Sequence, residues 1–118
     1  MIQAIEITEM HEAIVKDPAC KCYVCIANPP KFLKFANVQL CSALAPHAKL
    51  VHDLKLGILT TEEFRRKYSM YLKNNPLTLE LVKFIISESK SQDIYLICNS
   101  HSECQRLVLI GMFDNPSS

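Results

Sequence analysis

The chain predicts a small, Rossmann-like α/β domain: a parallel β-sheet of three or more strands flanked by helices on both faces. Three observations carry this expectation. Lys21 to Ala27 and Ile94 to Cys98 are nearly continuous apolar runs, the pattern of strands covered on both faces. The segments between them place apolar residues at helical spacing. The resulting order of strand, helices, strand and helix is that of a right-handed parallel crossover. The 118 residues suffice for one domain, 1–118, with a single core, and are too few for two ordinary ones.

Each element follows from local signals. Met1 to Ile7, with Ile2, Ala4, Ile5 and Ile7, reads as a first short strand. Thr8 is placed to cap the next helix, with Glu9 and Glu12 complementing the positive end of its dipole, and Asp17-Pro18 ends it because a residue before proline is pushed out of the α region. The second strand, Lys21 to Ala27, stops at Asn28-Pro29-Pro30, where two prolines cannot donate to a ladder. Phe32, Leu33 and Phe35 read as an irregular segment packed on the core, and Lys31 and Lys34 put positive charge near the strand's carboxyl end. Pro46 suits a first helical position, Leu50, Val51 and Leu54 share one helical face, and Gly57 closes that helix. Thr60 with Glu63 forms a capping box for a helix whose stripe is Phe64, Tyr68, Tyr71 and Leu72. Arg65, Arg66 and Lys67 fall off the stripe, as a solvated face does. Asn74-Asn75-Pro76 breaks the chain, and Leu81, Val82, Ile85 and Ile86 recur at helical spacing up to about Ser89. A polar turn then leads into Ile94 to Cys98, after which Leu107, Val108, Ile110 and Met112 mark a last helix.

Composition narrows the function classes. Hydrophobic residues are 49% and charged residues 21%, the balance of a globular protein. Two glycines in the whole chain leave no glycine-rich phosphate loop or dinucleotide fingerprint. A net charge of +1 gives no global attraction to nucleic acid or anionic lipid. No apolar run approaches the ~18–20 residues of a membrane span, and the amino terminus lacks the basic-then-apolar pattern of a signal peptide, so a cytoplasmic location without membrane association is expected.

Six cysteines stand at 20, 22, 25, 41, 98 and 104. The cluster Cys20, Cys22 and Cys25 invites a zinc reading, but strand alternation sends Cys20 and Cys22 to one face and Cys25 to the other. Buried thiols are therefore expected, with no metal and no cofactor; a disulfide is the second option.

The chemistry concentrates between Asp93 and Arg106, where a strand breaks into the polar turn Asn99-Ser100-His101-Ser102 and resumes as a helix. In an α/β sheet, backbone N–H groups point at ligands where the carboxyl end of a strand meets a helix amino terminus. The candidate ligand-binding residues are Cys98, Asn99, Ser100, Arg106 and Lys31. Cys104 lies in the first helical turn, where a thiolate is favoured, so it is the candidate nucleophile, with His101 as its base and Glu103 to orient or neutralise that base. The competing reading packs Cys104 inward beside Val108 and ends a buried strand at Cys98. A cysteine-phosphatase loop is excluded by spacing: Cys98 and Arg106 have seven residues between them, and Cys104 and Arg106 one.

Taken together, Leu44-Ala45-Pro46, Leu50, Lys55-Leu56-Gly57-Ile58-Leu59-Thr60, Glu63-Phe64, Tyr68, Ile94-Tyr95-Leu96-Ile97-Cys98 and Cys104-Gln105-Arg106 resemble the family known as domain of unknown function 488. The resemblance runs over about Asn28 to Met112. It implies a small α/β domain of unsettled function with a site at the Cys…Cys-x-Arg loop. Two departures stand out: the family's Cys-His-Arg is here Cys104-Gln105-Arg106, and the arginine that commonly follows its early strand has no counterpart at Asn28-Pro29-Pro30.

Three classes of function remain. The first is binding or catalysis at the Cys98 to Arg106 loop, with a small anionic or nucleotide-like ligand. The second is a non-enzymatic interaction module, self-associating as a homodimer. The third is a nucleic-acid-associated protein using Lys31, Lys34, Arg65, Arg66 and Lys67 as a basic patch.

Overall fold

A computed structural model describes residues 1–29, 37–99 and 103–114. Strand β1 (Ile2–Glu6) leads through a 3-10 turn at Ile7–Glu9 into helix α1 (Met10–Lys16) and back to β2 (Lys21–Val24). A short strand β3 (Val38–Leu40) and a 3-10 turn at Ser42–Leu44 precede three helices: α2 (Ala48–Lys55), α3 (Thr61–Lys73) and α4 (Pro76–Glu88). Strand β4 (Ile94–Cys98) and helix α5 (Glu103–Asp114) follow. The strands form one sheet in the order β1-β4-β2-β3, and each neighbouring pair is parallel, as expected from the sequence.

Alternation along the strands divides the core. Cys20, Cys22, Val24 and Ile97 face α1 and pack with Met10 and Ile14. Tyr23, Cys25, Leu96 and Cys98 face the other way, toward Phe64, Tyr68 and Leu72 of α3, Val82 and Ile85 of α4, and Leu109, Met112 and Phe113 of α5. Cys20 and Cys22 are thus separated from Cys25 by the sheet, as the pleat requires. Helix α3 touches α2, α4 and α5, and its Tyr68 hydroxyl donates to the Leu44 carbonyl, pinning the turn after β3 to the helical layer.

The Thr60–Glu63 capping box is present in both directions, with the Glu63 N–H 3.1 Å from Thr60 Oγ1 and the Thr60 N–H 3.1 Å from Glu63 Oε1. Gly57 adopts φ 76°, the left-handed conformation that closes α2. Arg65, Arg66 and Lys67 are exposed.

Four expectations need correction. Thr8 is not the cap of α1; its hydroxyl turns 3.5 Å to the Glu6 carboxylate, and the chain enters through a 3-10 turn in which the Glu6 N–H donates to Glu9 Oε1 at 3.2 Å. Pro46 stays outside α2, because His47 keeps an extended backbone (ψ 140°) with its ring 4.3 Å from that of Tyr71. Regular strand β2 ends at Val24 rather than Ala27. On α5 the inward face is Gln105, Leu109, Met112 and Phe113, while Leu107 points out. The reading of Phe32, Leu33 and Phe35, and of Lys31 and Lys34, falls outside the described residues. Among the described residues, no helix is long and apolar enough to cross a membrane.

Candidate functional site

The carboxyl ends of β2 and β4 diverge. From β2 the chain passes to its outer neighbour β3, whereas from β4 it enters α5, which packs against β1 on the opposite side. Adjacent strands whose continuations leave in opposite directions open a crevice between their carboxyl ends, the place where open α/β sheets bind ligands. A cleft of about 110 Å³ lies there, lined by residues 26–28, Pro46, Ala48, Val51 and Asn99. Its polar groups come from Asn28 after β2 and Asn99 after β4, and α2 supplies the apolar wall. A broader depression of about 720 Å³ between α2 and α3, lined by His47, Lys49, Asp53, Lys67 and Tyr71 among others, belongs to the helical surface rather than to the strand ends.

One residue ties the crevice together. Gln105, in the first turn of α5, is fully buried: its Nε2 donates to the Cys25 carbonyl at 2.6 Å, and its Oε1 accepts from the Asn99 backbone N–H at 3.2 Å and from Asn99 Nδ2 at 3.3 Å. A buried amide with a donor and an acceptor fixes both strand ends relative to the helix, because leaving any of these groups unpaired in the interior is costly. It also orients the Asn99 side chain at the cleft.

Behind the cleft the strands end in thiols. Val24 is in register with both Leu40 and Ile97, and the next rung continues it: the Cys41 N–H donates to the Val24 carbonyl at 2.9 Å and the Cys25 N–H to the Ile97 carbonyl at 2.8 Å. Cys41, Cys25 and Cys98 therefore lie side by side across three strands, and Glu6 of β1 is the registered partner of Cys98. All three thiols are free and buried. Burial pushes Cys98 up to about 12, against the opposing pull of the Arg106 guanidinium. Hydrogen bonding to Cys41, with burial added, raises Cys25 well above the ordinary thiol range; the same bond lowers Cys41 against the effect of its burial.

The residues singled out in the sequence divide as follows. Asn99 lines the cleft and Cys98 is fully buried at the end of β4. Arg106 is half-buried, and its Nε is buried with no hydrogen-bond partner among the described residues. Cys104 is half-buried against the helical-side core. Two residues apart on a helix means roughly 200° of rotation, so Cys104 and Arg106 do not share a face, and neither lines this cleft. Arg106 acts on Cys98 instead. Ser100, His101 and Lys31 lie outside the described residues. The residues missed from sequence are Asn28, Cys25, Cys41 and above all Gln105, whose only signal was its place between Cys104 and Arg106. Comparison with protein-family models, with curated proteins and with solved structures returns no match.

Proposed function

We propose that this protein binds a small anionic ligand at the Cys98–Arg106 strand-to-helix loop, in the crevice between β2 and β4. The observation that carries the reading is the cleft itself: a concave site at diverging strand ends, lined by two asparagines, one of them held by a buried glutamine. Arg106 of α5 stands outside the cleft lining and adds charge rather than a direct contact: its guanidinium acts on Cys98 at the end of β4, and its buried Nε lacks a partner among the described residues. At about 110 Å³ the cleft suits a phosphate, sulfate or carboxylate group better than a whole nucleotide, since drug-sized ligands occupy roughly 300–1,000 Å³. The likeness to domain of unknown function 488 is proposed on the same residues, with Gln105 in the place of that family's histidine. Either side chain can donate one hydrogen bond and accept another, so the exchange keeps the bonding pattern.

Titration with inorganic phosphate and with a nucleoside monophosphate, followed by calorimetry and by amide shifts, tests the reading. Saturable binding that shifts Asn28 and Asn99 and is weakened at least tenfold by Arg106→Met supports it. Absence of saturation at millimolar phosphate, or shifts confined to Lys49 and Lys67 on the helical surface, would remove it.

A second reading, self-association as a homodimer, is favoured by α4. Leu77 and Phe84, 72% and 56% exposed, stand one heptad apart with the half-buried Leu81 between them on the same stripe. Sedimentation of the wild type and of a Leu77→Glu, Phe84→Glu variant decides it: a dimer abolished by the two charges supports the reading, and a wild-type monomer at high concentration ends it.

A further inference from the structure

Cys25 and Cys41 do not line the anion cleft, yet their geometry is particular. Cys25 and Cys41 follow the registered pair Val24 and Leu40, point into the same helical-side core, and belong to neighbouring strands. Neighbouring strands run ~4.8 Å apart, inside the ~4.4–6.8 Å between Cα atoms that a disulfide spans. The Cys25 thiol lies 3.5 Å from the Tyr23 carbonyl of its own strand, in the same buried layer as Cys41. Both residues lie one position beyond the regular ends of β2 and β3, on a rung that the Cys41 N–H to Val24 carbonyl and Cys25 N–H to Ile97 carbonyl bonds continue. From this juxtaposition we infer that Cys25 and Cys41 form a dithiol/disulfide redox site, oxidised by a hydroperoxide.

The roles follow from position. Cys41 follows the outermost strand β3 and keeps 6% of its surface exposed, while Cys25 and Cys98 keep none, so Cys41 is the residue a small oxidant reaches first. The Cys25 hydrogen bond also favours the Cys41 thiolate, the reactive form. In the first step the Cys41 thiolate attacks the hydroperoxide; an S–O bond forms, the O–O bond breaks, and with one proton taken up the products are Cys41 sulfenic acid and an alcohol, or water when the oxidant is hydrogen peroxide. In the second, the Cys25 sulfur attacks the sulfenic sulfur; the S–S bond forms, the S–O bond breaks, and the Cys25 proton leaves with the hydroxyl as water. Two thiols are oxidised and one hydroperoxide is reduced. Cys98 is a bystander: it stays protonated in its buried position, its thiol 3.8 Å from the Leu96 carbonyl.

The test uses the wild-type chain, so it does not depend on a variant folding. Treat the native protein with hydrogen peroxide, block remaining thiols, and map peptides without reduction, with the same treatment in denaturant as reference. The expected result is a Cys25–Cys41 cross-linked peptide as the dominant product of the native sample, with Cys98 still alkylated after unfolding, and a scrambled mixture in the denatured one. In Cys25→Ser, Cys41 should instead accumulate as a sulfenic acid trapped by dimedone, and in Cys98→Ser the native cross-link should persist. A native product dominated by Cys25–Cys98 or by Cys104, a product mixture identical to the denatured one, or no disulfide at all would overturn the inference. Phosphate binding is a separate readout, so loss of the anion site and loss of the redox pair are distinguishable.

Discussion

At the amino-terminal end of the sheet, charged side chains hold one another. Lys21 Nζ lies 2.9 Å from Glu88 Oε2, the Tyr23 hydroxyl donates to the other oxygen of the same carboxylate, and the Lys21 ammonium sits 4.8 Å over the Tyr23 ring. The amino terminus of Met1 reaches Asp93 at 3.6 Å. At the carboxyl-terminal end β2, β3 and β4 run out into thiols, and one buried amide ties the ends of β2 and β4 together. Both buried side-chain polar atoms that lack a partner among the described residues, Thr78 Oγ1 and Arg106 Nε, also belong there. Thr78 does so because α4 starts beside the Ser42–Leu44 turn and runs down to Glu88. One end is closed by mutual pairing, which stabilises; the other keeps unused hydrogen-bonding capacity, which costs stability and is available to a ligand.

The largest effect expected of a single change lies at the carboxyl end. Gln105→Leu removes the partner of the Cys25 carbonyl and of the Asn99 N–H in one step, and should cost about 2–3 kcal/mol by urea unfolding. Gln105→His should recover part of it, since an imidazole both donates and accepts. If Gln105→Leu costs less than the Glu88 variant below, the carboxyl end is not organised by this amide.

At the amino end, Glu88→Gln should cost about 1–2 kcal/mol by leaving the half-buried Lys21 ammonium without its carboxylate. The pH dependence sharpens the comparison. Burial acts to raise Glu88, but the bonds from Tyr23 and Lys21 outweigh it and hold the carboxyl below its ordinary 4.5. A folded value below the unfolded one contributes stability that is complete above 4.5 and is lost as pH falls through the folded value. Lys21 is raised above 10.5, by its bonds to Tyr23 and then Glu88, so its contribution is complete below 10.5 and is lost as pH rises past the folded value. Glu88→Gln should flatten the acid limb of the stability profile. An unchanged acid limb would locate the acid sensitivity elsewhere.

The same contrast marks what could be read in the sequence. The two central strands, the Thr60–Glu63 box, Gly57 and the α3 and α4 stripes were legible because each rests on local chemistry: apolar runs, capping side chains and a helical period. Strand β3 was not, since Val38–Leu40 is three residues long and too short to show a period. The face of α5 was misread because its most buried early position is a glutamine, and polarity disguises an inward-facing residue. The Cys98 loop was recognisable as strand, turn and helix, but its pairings were not. That Cys25 stands between Cys41 and Cys98 depends on register between strands many residues apart, and that Arg106 and Cys104 lie on different faces of α5 depends on helix rotation.

Thr78→Val should run opposite to the first two variants. It replaces a buried, unpartnered hydroxyl in α4 with a methyl of the same shape, and a gain of about 1 kcal/mol is expected. A loss of that size would mean that the hydroxyl is satisfied in solution, for example by a buried water.

The smallest stability effect is expected at Arg106, and it is the most informative. Methionine keeps much of the length and apolar stem of the side chain while removing the guanidinium. Its Nε, without a partner among the described residues, returns none of its own desolvation cost, and Arg106→Met should change unfolding stability by less than about 0.5 kcal/mol in the absence of ligand. Lys21→Met at the other end removes a partnered cation and leaves Glu88 half-buried, and should cost about 1–2 kcal/mol. Added phosphate reverses the ranking. A ligand that binds only the folded state stabilises it by about 2.7 kcal/mol at a hundredfold excess over its Kd, and Arg106→Met should forfeit most of that increment while Lys21→Met keeps it. Equal costs for the two variants without ligand, or equal increments with it, would erase the distinction between a closed amino end and an open carboxyl end.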